Sequence, residues 1–263
     1  MHHYFVENEN IEELCENEFL IQFSSVDKNH IKAQRLKPGE HITVVDLQKN
    51  YFELEITKVA DGSVFANVAK RENFKNKPYS LSIFQGISKN SKLDDVLRCA
   101  TEIGCSAFYA VNMERSVAKI KESSIGNKLD RFNSIARSAS MQSGRVDIPS
   151  VSIINSSKDF LEELSAFDLV IVFWEQAKET DTVELAISSI AGGESACASD
   201  NRQPIKNVAV VVGPEGGISP AEIDSIKASS NCHVCTLGDT ILRTETAGIV
   251  SCAIVNHLLG STL

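Results

Sequence analysis

No apolar run in these 263 residues approaches the roughly 18 that would cross a bilayer. The opening Met1-His2-His3-Tyr4-Phe5-Val6-Glu7 has no basic stretch followed by an apolar one, so no secretory leader is expected and the expected setting is the cytoplasm. There is no GxSxG elbow and no HExxH helix, and the six histidines keep no metal-ligand spacing, so neither hydrolase chemistry nor a metal centre is expected. The glycines lack the GxGxxG and GxxxxGKS spacings, which removes the fingerprint of dinucleotide and P-loop phosphate sites.

A disulfide framework is missing too. The seven cysteines are an odd, scattered set, and Cys99 and Cys252 fall inside apolar helical patterns where a reduced thiol packs as a small hydrophobe. Cys232-His233-Val234-Cys235 has the spacing of a zinc or redox pair, but it lacks a second pair and lies in a strand pattern, so the structural reading is preferred. A net charge of −9 argues against a generally sticky nucleic-acid protein. Its distribution is uneven: residues 81–150 carry ten Lys and Arg against seven Asp and Glu, whereas 151–263 carry six against fifteen. Basic character is therefore concentrated in the middle, where a solvated surface explains it as well as a ligand does.

Residues 1–77 alternate with a period of two: Phe52, Leu54 and Ile56 interleave with Glu53 and Glu55, and Val64, Ala66 and Val68 follow suit. This predicts a small β-barrel or sandwich, with a hairpin at Gln48-Lys49-Asn50. Ahead of it, Lys32, Arg35 and Lys37 lie in a basic segment that fits either a phosphate-contacting edge or a solvated turn. After the linker Asn76-Lys77-Pro78 the rhythm becomes strand and helix in alternation, predicting an α/β domain with a mostly parallel sheet over 78–263. Residues 191–207, rich in Gly, Ser and Ala, read as an exposed loop.

The most informative stretch is 208–246. Val208 to Val212 is an unbroken β-branched run, as in a strand buried on both faces. Gly213-Pro214-Glu215-Gly216-Gly217 follows, and then Ser219-Pro220-Ala221-Glu222, which predicts a capped helix start. A second strand, Val234 to Leu237, ends in Gly238-Asp239. Two glycine loops thus leave parallel strands in succession, and loops there hold the ligands of α/β sheets. Arg243, Glu215 and Glu245 are the polar residues flanking them. Arg115 lies just past a strand end, and Arg145 closes a helix whose outer face bears Arg131 and Arg137; these arginines can clamp phosphates or simply face solvent.

The tandem of Gly213 to Gly217 with Leu237-Gly238 and Ile241-Leu242-Arg243-Thr244-Glu245-Thr246-Ala247 closely resembles the RsmE family, 16S ribosomal RNA uridine-N3 methyltransferases of the SPOUT superfamily. Lys89, Thr101-Glu102-Ile103-Gly104, Arg115-Ser116, Arg131 and Gln142-Ser143-Gly144-Arg145 stand in family order. Phe132, Met141 and Ile103 depart from it, and Met141 replaces an acidic residue. The resemblance implies a PUA-like barrel over 1–77 and, over 78–263, an α/β domain with a deep trefoil knot. It also implies homodimers built on the final helix, Ile249 to Leu259, acting on the small ribosomal subunit. S-adenosylmethionine would be held by Val212, Gly213, Gly216, Gly217, Leu237, Gly238, Ile241, Leu242 and Thr244. Arg243 would stabilise charge on the uracil, with Glu215 or Glu245 assisting. Lys32, Arg35, Lys37, Lys89, Arg115, Arg131 and Arg145 would hold RNA. Two other readings stand beside it. One is an RNA-binding ribosome-assembly factor that has lost catalysis. The other is a nicotinamide-dependent oxidoreductase, which lacks its glycine fingerprint.

Overall fold

The computed structural model describes residues 2–262 apart from 16, 25–26, 29–30, 32–33, 61–62, 75–76, 90, 179 and 192–205. Lys32 and most of the 191–207 loop therefore lie outside the described residues. The chain divides into two compact units, residues 1–76 with 140–147, and residues 77–139 with 148–263.

The first unit is a six-stranded sheet of β1 His2–Phe5, β2 Ile11–Cys15, β3 Glu18–Gln22, β4 His41–Val45, β5 Asn50–Ala60 and β6 Ser63–Asn73. Its order is β1-β4-β5-β6-β3-β2, antiparallel except for the β1–β4 pair. The period of two sends Phe52, Leu54, Ile56, Val64 and Ala66 into one core with Phe19, Ile21, Ile42 and Val44. The predicted hairpin forms because the Asp46 carboxylate accepts the amides of Gln48 and Asn50 while Lys49 takes φ of 63°. Met141, which replaces an acidic residue of the resembled family, packs against this apolar core. Its hydrophobic side chain is accounted for by that burial.

The second unit is built on six parallel strands: β7 Ser80–Gly86, β8 Ala107–Val111, β9 Ser150–Ile154, β10 Leu169–Phe173, β11 Asn207–Val212 and β12 Cys232–Cys235. All five pairings in the sheet are parallel. The helices are α1 Lys92–Ile103, α2 Ile125–Ser143, α3 Ser157–Leu164, α4 Val183–Ala191, α5 Pro220–Ser229 and α6 Thr244–Thr262. β11 explains the unbroken valine run: Val208, Val210 and Val212 face a cluster containing Leu97, Cys252 and Val255, while Ala209 and Val211 face Phe160, Ile223 and Ile226 on the other side. α1 stops where Gly104 turns left-handed at φ 116°. α5 starts with both halves of the Ser219/Glu222 capping box in place. No helix among the described residues is long and apolar enough to cross a membrane.

Sheet order places the site. It reads β12-β10-β11-β7-β8-β9, so the chain first builds outward from β7 to β9 and then returns to the other side of β7. The direction of winding therefore reverses at the β7–β11 pair, where an open α/β sheet leaves a crevice beyond the carboxyl ends of its strands. One strand boundary needs correcting. The sequence pattern predicts a strand from Val234 to Leu237, but β12 runs from Cys232 to Cys235. Thr236 donates its amide to Asp181 O, and its hydroxyl accepts the Gly238 amide at 3.1 Å, which turns the chain out of the sheet.

Candidate active site

Three loops leave β10, β11 and β12 at their carboxyl ends and meet. The loop after β11 lies hard against the end of β7: a Cβ placed on Gly86 would stand 2.4 Å from the Pro214 nitrogen, so only glycine fits there. The same loop turns at Gly217, with φ 71° and its amide donating to Pro214 O at 2.9 Å. From the β10 side, the Trp174 indole donates to Ile218 O at 3.0 Å and holds the neighbouring wall. The result is a cavity of about 410 Å³, within the size range of small-ligand sites.

All nine residues nominated for the cofactor line this cavity. Its apolar wall comes from Phe173, Trp174, Val212, Leu237, Ile241 and Leu242. Ile241 is 85% exposed, an unusual state for a large aliphatic side chain at the mouth of a cavity. Thr244 lines the cavity but has a second task. Its hydroxyl donates to Gly213 O at 2.5 Å and accepts from Gln85 Nε2 at 2.8 Å, and the same amide donates to Gly213 O at 3.3 Å. Gln85 is 1% exposed at the end of β7, so this buried knot of bonds ties β7, the glycine loop and the start of α6 together.

The charged groups sit at one side. Glu215 Oε1 accepts the Lys89 amide at 3.0 Å and lies 3.8 Å from Lys92 Nζ, and Lys92 Nζ lies 3.2 Å from Glu245 Oε2. Arg243 and Glu215 line the cavity with Lys92, while Glu245 stands one step behind it. Burial alone would push the Glu245 carboxyl up, but its own backbone amide, the Lys92 ammonium and the Arg243 charge outweigh burial and hold it below the usual carboxylate range.

The residues nominated for RNA are dispersed. Arg115 stands on the glycine loop, donating from Nη1 to Gly216 O at 3.4 Å. Arg131 is ion-paired with Asp94 at the start of α1. Arg145, in the first unit, is paired with Asp147 through Nη2 at 2.7 Å and Nε at 3.2 Å. Arg35 and Lys37 are exposed in the first unit, where the Lys37 amide donates to the Glu40 carboxylate. Burial pushes the thiols of Cys232 and Cys235 up to about 11 and about 12, which keeps both protonated and unreactive at neutral pH.

Lys92, Gln85 and Gly86 are site residues that local pattern does not nominate. Gln85 leaves one trace, a polar side chain closing an apolar strand. Lys92 leaves none, because a lysine at a helix start looks like surface.

A parallel sheet with a glycine-walled cleft over its reversal point defines an α/β protein with a small-ligand site beyond its strand ends. The RNA methyltransferase domain model matches residues 75–256, and the chain belongs to that family: it is an RNA methyltransferase. It is 27% identical over 98% of its length, and 96% of the relative's, to the ribosomal RNA small subunit methyltransferase E of Bacillus subtilis. It is 29% identical, over 86% of its length and 81% of the relative's, to the protein of the same name from Mycobacterium bovis. The crystal structure of a ribosomal RNA small subunit methyltransferase E from Neisseria gonorrhoeae, bound to S-adenosyl methionine, shares the fold with a TM-score of 0.73. There the identity is 23%, over 98% of each chain.

Proposed function

We propose that this protein transfers the methyl group of S-adenosylmethionine to N3 of one uridine in the 16S RNA of the small ribosomal subunit, in the cytoplasm and as a homodimer. The observation that carries the reading is the convergence of all nine motif residues on one cavity of about 410 Å³ beside Arg243 and Glu215.

The residues suit that ligand. Leu237, Ile241 and Leu242 offer an apolar wall to an adenine ring, and the glycine loop brings backbone groups within reach of the ribose and amino-acid ends. When bound, S-adenosylmethionine supplies an electrophilic methyl group on a sulfonium centre, and carboxylates on the rim suit that positive charge. The chain's residues hold donor and base in line for displacement, which is the main source of rate. Arg243 stabilises negative charge developing on the uracil as the N3 proton leaves. Glu245, ionised and flanked by Lys92, is a poor proton acceptor and a good orienter of Arg243, which leaves Glu215, or water beside it, to take the proton. The uracil must be unpaired or flipped to present N3.

The fold-level reading goes with it. Residues 78–263 form a SPOUT domain in which the segment leading into α6 threads a loop to make a trefoil knot. The reversal at β7–β11 and the seating of Thr244 behind the Gly213 carbonyl support this. Residues 1–77 form a PUA-like barrel that presents Arg35 and Lys37 to RNA. Arg115, Arg131 and Arg145 add phosphate contacts, with Lys89 beside the cleft.

The test uses small subunits from cells lacking the gene, the full-length protein and tritiated S-adenosylmethionine. Label should appear as 3-methyluridine at one position, and Arg243→Ala should slow transfer by roughly 100-fold or more with donor affinity retained. Label in another nucleoside would overturn the N3 assignment. Intact donor binding without any transfer would favour the assembly-factor reading.

A further inference from the structure

A second cavity, of about 430 Å³, opens in the same unit. Its rim carries three cations, Lys119, Lys128 and Arg131, and one carboxylate, Asp94, which is already committed to Arg131. Lys119 and Lys128 have no carboxylate partner among the described residues, and Lys128 is half-buried. Two ammonium groups on the rim of one cavity, neither met by a carboxylate of the described residues, suit an anionic ligand. The floor is apolar: Ile87, Leu93, Ile120 and Phe132 are each at most 9% exposed. Apolar floor, cationic rim and the hydroxyls of Ser88 and Ser91 between them match the parts of a nucleotide: base, phosphate and sugar.

Position gives the cavity its meaning. Ser88 and Ser91 line it, while their neighbours Lys89 and Lys92 reach Glu215 and Glu245 at the first cavity. Ser88 and Ser91 on one side and Lys89 and Lys92 on the other thus bring the two cavities together. We propose that the second cavity seats a single-stranded nucleotide of the substrate RNA next to the one presented for methylation, with its phosphodiester on Lys119, Lys128 and Arg131. The seat rests on the RNA methyltransferase reading and adds a subsite to it. It would fix the register of the strand, so that the target base alone reaches the first cavity, and it requires the flanking nucleotide to be unpaired as well.

The experiment compares the wild-type chain with the Lys119→Gln/Lys128→Gln double variant and with Lys128→Arg. Binding of a fluorescein-labelled hexauridylate is followed by anisotropy across salt concentrations, beside calorimetric binding of S-adenosylmethionine. Loss of two contacts at about 0.7 each should lower the salt slope by about 1.4. KM for small subunits should rise at least several-fold with kcat and donor affinity unchanged, and Lys128→Arg should behave as wild type. Inorganic phosphate at millimolar concentration should compete only weakly if a nucleotide is the occupant; full competition by phosphate would reduce the seat to a generic anion site and overturn the proposal. Unchanged hexauridylate binding and salt slope in the double variant would overturn the subsite alone. A wild-type chain that binds the donor but neither hexauridylate nor small subunits would overturn the RNA reading and the subsite together.

Discussion

Lys92 of α1, which lines the cleft, and Glu245 of α6 form an ion pair, Nζ to Oε2 at 3.2 Å. The same ammonium stands 3.8 Å from Glu215, so one cation from the start of the domain serves two carboxylates from its end. Both members of the closer pair are partly shielded, Lys92 at 31% and Glu245 at 22% side-chain exposure.

Replacing Lys92 by Met should therefore cost about 1 kcal/mol at pH 7, a modest figure because solvent still screens the pair, or about 2 °C in Tm for a chain of this size. The sign of the pH dependence follows from Glu245. Its folded pKa is depressed, so the stability it contributes is present above the ordinary carboxylate range and is lost as pH falls through the lowered value. The Tm difference between wild type and variant should shrink toward zero between about pH 5 and pH 3, and Lys92→Arg should retain most of it. A difference that stays constant from pH 7 to pH 3 would assign the loss to packing of the lysine stem instead.

The Thr244 hydroxyl and the Gln85 amide share the Gly213 carbonyl in a buried site. Thr244→Val keeps the shape and removes the hydroxyl, leaving Gln85 Nε2 short of one acceptor. Each of Thr244→Val and Gln85→Met should cost about 1–3 kcal/mol in urea unfolding, and the double variant should cost clearly less than their sum, because both break the same network. Additive losses would mean the two side chains act independently. Donor affinity should fall in all three, since the network sets where α6 begins.

How much of this was legible in the sequence depends on how far apart the partners lie. The β11 valine run, the glycine loop and the Ser219/Glu222 box are local signals, and the structure places each where the pattern puts it. Gln85, Gly86 and Lys92 meet that loop across more than 120 positions of chain, through the β7–β11 pairing, and no local period encodes a pairing. The end of β12 is hidden in the sequence for a related reason. Leu237 is apolar because it lines the cavity, and a residue facing a ligand site has the same composition as one facing a core. Charge was the least legible feature. Arg131 and Arg145 look available in the sequence, yet each meets an aspartate, while Lys119 and Lys128 carry no motif at all.

Gly86→Ala tests the close approach that local pattern did not flag. The added methyl would meet Pro214 backbone nitrogen at 2.4 Å, and neither strand end can yield cheaply inside a packed sheet. We expect a loss of about 3 kcal/mol, read in urea unfolding, with donor binding impaired because the glycine loop must move. Gly126→Ala is the matched control: it lies near the start of α2 with nothing within 4 Å of the added carbon. There the same methyl should be neutral or stabilising by about 0.5 kcal/mol. Equal effects at the two positions would refute the contact argument.

Ile241 sits 85% exposed on the cavity wall, so truncating it removes almost nothing from the isolated chain. Ile241→Ala should leave the Tm of the donor-free protein within about 1 °C, in keeping with a surface substitution. If the side chain covers the donor, the variant should bind S-adenosylmethionine roughly tenfold more weakly, since burying the missing carbons against a ligand is worth about 1.5 kcal/mol. Calorimetry reads that term directly, and sedimentation equilibrium on the same samples reads the competing one. Unchanged donor affinity with a weakened dimer would place Ile241 at the contact between copies, and an unchanged result in both would leave its exposure without a functional cause.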